Sequence, residues 1–202
     1  MSLPANDGNT PVDEEQRAGL RASYITTRGE LDAAEQAGIA EAAVWARRAR
    51  AMRFPDLLSP SSVLKLHRIM FESVYDWAGT MRRRETSIGV DPGQIPGLLR
   101  QTCDNALFWV ENATWQPVET VVRFHHELAR IHIFPNGNGR HARLMADLLL
   151  SRHYEQKPLT WGGPGLRAQG ELHSAYIAAM RAADAGDFAP LLDFANSAGH
   201  VP

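Results

Sequence analysis

The turn Gly137-Asn138-Gly139 joins two apolar helical patterns, and that junction constrains the fold of this chain more than any other feature. Before it, Val118, Val121, Val122, His125, Leu128 and Ile131 recur at helical spacing behind Pro117, up to His132. After it, "LMADLLL" carries a second helix over about 138–154. Glycine admits left-handed and close-approach geometry, so successive N–H groups in the turn can face one concavity. The start of the second helix adds partial positive charge, which suits the turn to phosphate. Arg140 and Arg143 stand three apart, so both project from the first turn toward that anion. His132 ends the first helix, where an imidazole can take a proton from a hydroxyl near neutral pH. Phe134 anchors the loop between them. Singly, each feature has an ordinary reading: a capping histidine, a helix connection, solvated arginines. Together within twelve residues they point to phosphoryl or nucleotidyl transfer.

The rest of the pattern predicts an all-α fold, a single helical domain with one short β-hairpin flap. Residues 1–19 are polar and expected to be mobile, and the domain is expected over 20–197. Its first helix, 27–50, opens on a capping box of Thr27 with Glu30. Leu31, Ala34, Gly38, Ala42 and Trp45 follow on one stripe. Ser59 caps a second helix with Pro60 in its first turn, carried on by Val63, Leu66, Met70, Val74 and Trp77. Between Gly79 and Gly89 the helical period breaks, and alternation of Thr86, Ile88 and Val90 predicts a hairpin or extended flap. Another helix follows "DPGQIP" through Ile95, Leu98, Thr102, Ala106 and Trp109, and two more close the chain around 168–185 and 187–197. Trp45, Trp77, Phe108 and Trp109 read as core.

Composition removes whole classes of function. A net charge of -2 gives no footprint for nucleic acid or an anionic membrane. No window approaches the roughly 18 consecutive apolar residues of a membrane span. The N-terminus shows no basic region followed by an apolar block, so no secretion signal is expected. The single Cys103 excludes an internal disulfide, reads as an inert core thiol and suits a reducing compartment. The expectation is a cytoplasmic protein.

The stretch "HIFPNGNGRHAR" resembles the signature of the Fic proteins (filamentation induced by cAMP), His-Pro-Phe-x-Asp/Glu-Gly-Asn-Gly-Arg-x-x-Arg. "LHRIMFESVYDWAGTMR" is similar to the family's helix leading to the flap, "TSIG" to the flap and "FHHELARIH" to the helix feeding the motif. "LHSAYIAAMRAADAGDFAPLLDF" resembles the C-terminal helices, so the likeness spans roughly residues 20–195. "ITTRGELDAAEQAGIAEA" is similar to the subgroup called mobile mystery protein B. The resemblance implies transfer of AMP from ATP to a Ser, Thr or Tyr hydroxyl of a target protein, with Mg²⁺. It implies His132 as general base, Gly137, Asn138, Gly139 and Arg140 around the α- and β-phosphates, and Arg143 at the γ-phosphate. Thr86, Ser87, Ile88 and Gly89 would dock the target by strand addition.

Two positions depart from the signature. Ile133 replaces its proline, and an apolar residue of similar bulk can still pack there. Asn136 replaces its acid, the ligand that would hold Mg²⁺, and leaves an amide oxygen to bind the ion directly or through water. The outcomes are a slower transferase, one with a different donor or metal, or a nucleotide-binding module without transfer, such as a member of a toxin–antitoxin-like pair with a small partner. Many Fic proteins also carry an inhibitory helix whose glutamate pairs with the motif's second arginine. Glu35 takes that place here, with a plain surface glutamate as the ordinary reading and partial burial against Arg143 as the expectation. His125 shares a face with His132, but no acid or thiol completes a ligand set, so His125 and His126 read as packing.

Overall fold

The computed structural model describes residues 19–21, 25–163 and 171–197. The N-terminal stretch expected to be mobile lies outside them but for its last residue, as does the start of the helix expected from 168. The described residues form α1 (Arg28–Arg48), α2 (Pro60–Phe71), α3 (Ile95–Glu111), α4 (Pro117–Ile131), α5 (Asn138–Arg152), α6 (Glu171–Asp184) and α7 (Ala189–Asn196). The caps that the sequence marks are in place. Thr27 Oγ1 accepts the Glu30 N–H at 3.3 Å, and Glu30 Oε2 accepts the Thr27 N–H at 3.0 Å. Ser59 Oγ accepts the Ser62 N–H at 3.3 Å, with Pro60 as the first residue of α2.

α4 and α5 pack against each other at the centre, with α3 and α7 on α4 and α1 laid against α2. Phe71, Phe124, Phe134, Leu66, Leu128 and Ile131 are buried there, each worth about 1.5–3 kcal/mol in apolar surface removed from water. Gly38 sets the approach of α1. A Cβ there would lie 2.3 Å from the Met70 carbonyl oxygen, so only glycine lets the two helices come this close. The buried stripe of α1 is Leu31, Glu35, Gly38, Ala42 and Ala46, which places a carboxylate in the seam. Cys103 is buried, and burial pushes its thiol up to about 12, which keeps it protonated and inert. No described helix is long and apolar enough to cross a membrane.

Two expectations are corrected. Residues 81–90 form no hairpin, and the isolated bridge among the described residues joins Leu20 to Tyr75. Each arm of this flap gives a main-chain donor to the end of α4 or the loop after it: Arg82 N–H bonds the Ile133 carbonyl at 2.9 Å and Val90 N–H the Ile131 carbonyl at 3.4 Å. Donors so used cannot build a ladder between the arms. Phe108 is not core but 58 % exposed. The buried stripe of α3 runs through Ile95, Leu99, Cys103, Ala106 and Val110, and two residues past Ala106 the helix has turned about 200° away.

Three buried histidines make the fold acid-sensitive. Burial holds His67, His125 and His141 below their ordinary value, His141 at about 4. The unfolded chain binds their protons more readily, so the stability they lend is complete above about 6.5 and is lost as pH falls toward 4. The slope is about 1.4 kcal/mol per pH unit for each such group. The urea midpoint is therefore expected to fall between pH 7 and pH 5, and an unchanged midpoint would contradict this account.

Candidate active site

α4 ends on His132, whose backbone turns left-handed, φ 55° and ψ 63°. Its imidazole is half-buried, and burial first, then the positive charge of Arg82, holds it below the usual histidine value. The ring is thus neutral near pH 7 and able to accept a proton. Ile133 is 1 % exposed and packs in the core as an apolar stand-in for proline.

The loop from 133 to 137 is held from inside. Asn138 Oδ1 accepts the Phe134 N–H at 2.8 Å, and its Nδ2 donates to the Phe134 carbonyl at 2.7 Å. His67 clamps from below, its Nδ1 accepting the Gly79 N–H at 3.0 Å and its Nε2 lying 3.1 Å from the Asn136 carbonyl. That pattern fixes the neutral tautomer with the proton on Nε2. The His67 ring stacks on Phe134 at 3.6 Å.

Gly137 precedes α5 with φ 80°, and a Cβ there would strike the Phe71 ring at 2.6 Å. No side chain caps α5, so the N–H groups of Asn138, Gly139 and Arg140 have no intrahelical partner. The side chain of Asn138 is committed to Phe134, so its offer to an anion is its main-chain N–H.

Glu35 comes to this site from α1 and is 3 % exposed. Its Oε2 meets Arg140 Nη1 at 2.5 Å; its Oε1 accepts the Tyr75 hydroxyl at 3.0 Å and Asn136 Nδ2 at 3.2 Å. Among the described residues the guanidinium that Glu35 meets is that of Arg140, not Arg143 as expected. Arg143 instead lies over Tyr176, 5.8 Å from the ring centroid. Burial raises the Tyr75 hydroxyl, with the Glu35 charge adding to it, so Tyr75 stays a donor.

The residues present do not fit Mg²⁺ held as the signature's acid would hold it. Asn136 Oδ1 accepts the Gly137 N–H at 2.7 Å, and its Nδ2 is a donor turned to Glu35. The Glu35 carboxylate is already taken by Arg140 and Tyr75, and no group of three His, Cys, Asp or Glu side chains gathers among the described residues. His125 Nε2 lies 3.1 Å from the Tyr176 hydroxyl, and His126 Nε2 lies 2.9 Å from Asp184.

Sequence reasoning assigned no role to His67, Tyr75 or Arg82. His67 directly follows Leu66 on the apolar stripe of α2, and Tyr75 lies in the turns after it. Only their partners across the fold single them out.

Fold and site define a class: an all-helical domain with an open helix N-terminus beside a neutral histidine. Residues 57–150 match the family model described as Fic/DOC family, and this part of the chain is a Fic/DOC family domain. Over 138 residues, 65 % of this chain and 26 % of the relative, it is 31 % identical to Protein adenylyltransferase Fic of Drosophila melanogaster. It is 25 % identical over 143 residues to Protein adenylyltransferase fic-1 of Caenorhabditis elegans, 69 % of this chain and 27 % of the relative. The chain spans about a quarter of the length of these curated relatives. The fold is that of a solved structure of Fic-1 from C. elegans, with a TM-score of 0.67 at 22 % identity, over 94 % of this chain and 55 % of that one. BepC from Bartonella tribocorum, solved with bound AMPPNP, gives 0.65 at 17 % identity, over 91 % and 97 %.

Proposed function

We propose that the chain transfers AMP from ATP to a hydroxyl side chain of a target protein. The observation that carries this reading is one continuous stretch in which α4 ends on the half-buried His132 and α5 starts six residues later without a side-chain cap, with Arg140 in its first turn. In the reaction the target hydroxyl oxygen forms a bond to the α-phosphorus while the bond to the bridging oxygen breaks. Pyrophosphate leaves, and the hydroxyl proton passes to His132. The N–H groups of residues 138–140 and Arg140 offset charge on the α- and β-phosphates, and Arg143 serves the γ-phosphate. The exposed flap, with Thr86, Ser87, Ile88 and Gly89, presents the target segment. Position 136 offers an amide and no carboxylate, so this reading assigns Mg²⁺ no carboxylate ligand and routes no step through it.

Glu35 holds the domain in check in the same reading. It occupies Arg140, the arginine assigned to the α- and β-phosphates, so the check acts nearer the reacting phosphorus than a pairing with Arg143 would. The likeness of residues 25–42 to the mobile mystery protein B subgroup and a cytoplasmic setting belong to this proposal, the latter on the strength of the single buried thiol.

A second reading, a nucleotide-binding module that acts through a small antitoxin-like partner, is favoured by Asn136 alone. Label decides between them. Incorporation into protein from α-labelled but not γ-labelled ATP is expected, and nucleotide binding without any incorporation would favour the module.

A further inference from the structure

Arg82 belongs to the exposed flap, yet it is 5 % exposed. Its side chain donates to four main-chain carbonyls. Nε bonds His132 at 2.6 Å, Nη1 bonds Arg84 at 3.0 Å, and Nη2 bonds Val90 and, at 3.4 Å, Ile131. Two of these carbonyls end α4 and two lie in the flap. The carbonyls at a helix C-terminus carry partial negative charge, which a buried guanidinium offsets. A planar fork with five donors can tie several carbonyls at once, whereas an ammonium on a flexible stem holds no such plane. His132 has a left-handed backbone, a conformation that persists only when its surroundings hold it. Gly89 of the flap abuts it so closely that a Cβ on Gly89 would lie 2.5 Å from the His132 Cβ.

We infer that Arg82 is a positioning residue for His132, fixing the left-handed end of α4 and the flap to each other so that the imidazole meets the hydroxyl the flap presents. This rests on the adenylyl-transfer reading. A plain stabilising role would need only that the guanidinium be satisfied. Here the bonds fall on the base's own carbonyl and on both arms of the target-binding segment.

The same charge, second to burial, keeps the ring neutral. Of the other charged groups nearby, Arg83, Arg84 and Glu85 of the flap are exposed, and Arg130 of α4 is exposed and paired with Glu127 at 2.7 Å. The loop from Ile133 to Gly139 brings no titrating side chain.

The test uses the full chain with Arg82→Gln, Arg82→Lys and, as a control on an exposed arginine of α3 away from the flap, Arg100→Gln. It reads His132 ring titration by NMR, ATP affinity and label transfer. In Arg82→Gln, ATP affinity is expected to stay within about twofold while transfer falls about 100-fold, the usual cost of a displaced catalytic group. The His132 midpoint should rise toward the ordinary value of about 6.5. Arg82→Lys is expected to keep the midpoint and lose about tenfold in rate, because charge remains and the fork does not. Arg100→Gln should match the parent. A His132 midpoint and ring resonances unchanged in Arg82→Gln would overturn the proposal. Should Arg82→Gln not fold, a parental rate and parental ring resonances in Arg82→Lys would overturn it equally. If the parent transfers no label, the transfer reading fails, while the His132 titration still decides what Arg82 does.

Discussion

Glu35→Gly is expected to raise incorporation of label from α-labelled ATP by about tenfold to a hundredfold. Glu35 accepts from Arg140, Tyr75 and Asn136, and hydrogen bonds to a charged group contribute about 1.5–3 kcal/mol each. Under the proposed check by Glu35, a bias of about 1.4–2.8 kcal/mol toward the closed arrangement would withhold Arg140 from nucleotide by that factor. Glycine within α1 costs about 1 kcal/mol of helix stability, which is below that bias and bears on folding, not on access of nucleotide to Arg140. Asn136→Asp is expected to act in the same direction. It replaces a donor 3.2 Å from Glu35 Oε1 with a second carboxylate, and like charges at that range repel. The two changes should not add. In the Glu35→Gly background Asn136→Asp has no partner left to repel, so its gain through the latch should vanish. Equal gains for Asn136→Asp in both backgrounds would separate position 136 from the latch. The amide at 136 donates to the buried Glu35, a bond that the ionised acid of the signature could not make.

His132→Ala is expected to lower label transfer by about 100- to 10,000-fold, the span of general-base catalysis, with ATP affinity nearly unchanged. In the proposed role His132 would work as the neutral ring, and burial with the Arg82 charge holds it below the ordinary histidine value. The limb of the rate profile that reports His132 should therefore lie on the acid side of about 6.5. Transfer in His132→Ala equal to that of the parent would move the base elsewhere, and the buried neutral His67 and His125 offer no exposed nitrogen to replace it.

Local chemistry made much of this legible in the chain. Thr27 with Glu30, and Ser59 with Pro60, are start signals that depend on residues three or four apart. The apolar spacing of α2 to α5 needs no knowledge of the partner helix. Alternation at Thr86, Ile88 and Val90 misled, because it registers exposure and turn chemistry but not where the main-chain donors go. Phe108 misled because an aromatic near an apolar stripe is not necessarily on it.

The sequence by itself determined an all-helical chain with a histidine, a glycine turn and two arginines in one continuous segment, since 3.6-residue periodicity, capping and left-handed turns are set by near neighbours. Tertiary structure alone decided that Glu35 meets Arg140 rather than Arg143, through a contact 105 residues apart that depends on how closely Gly38 lets α1 approach α2. It also decided that Arg82, fifty residues before His132, bonds the His132 carbonyl. Such pairings follow from how helices cross and which carbonyls are left open at their ends, and neither quantity is written in the order of neighbouring residues.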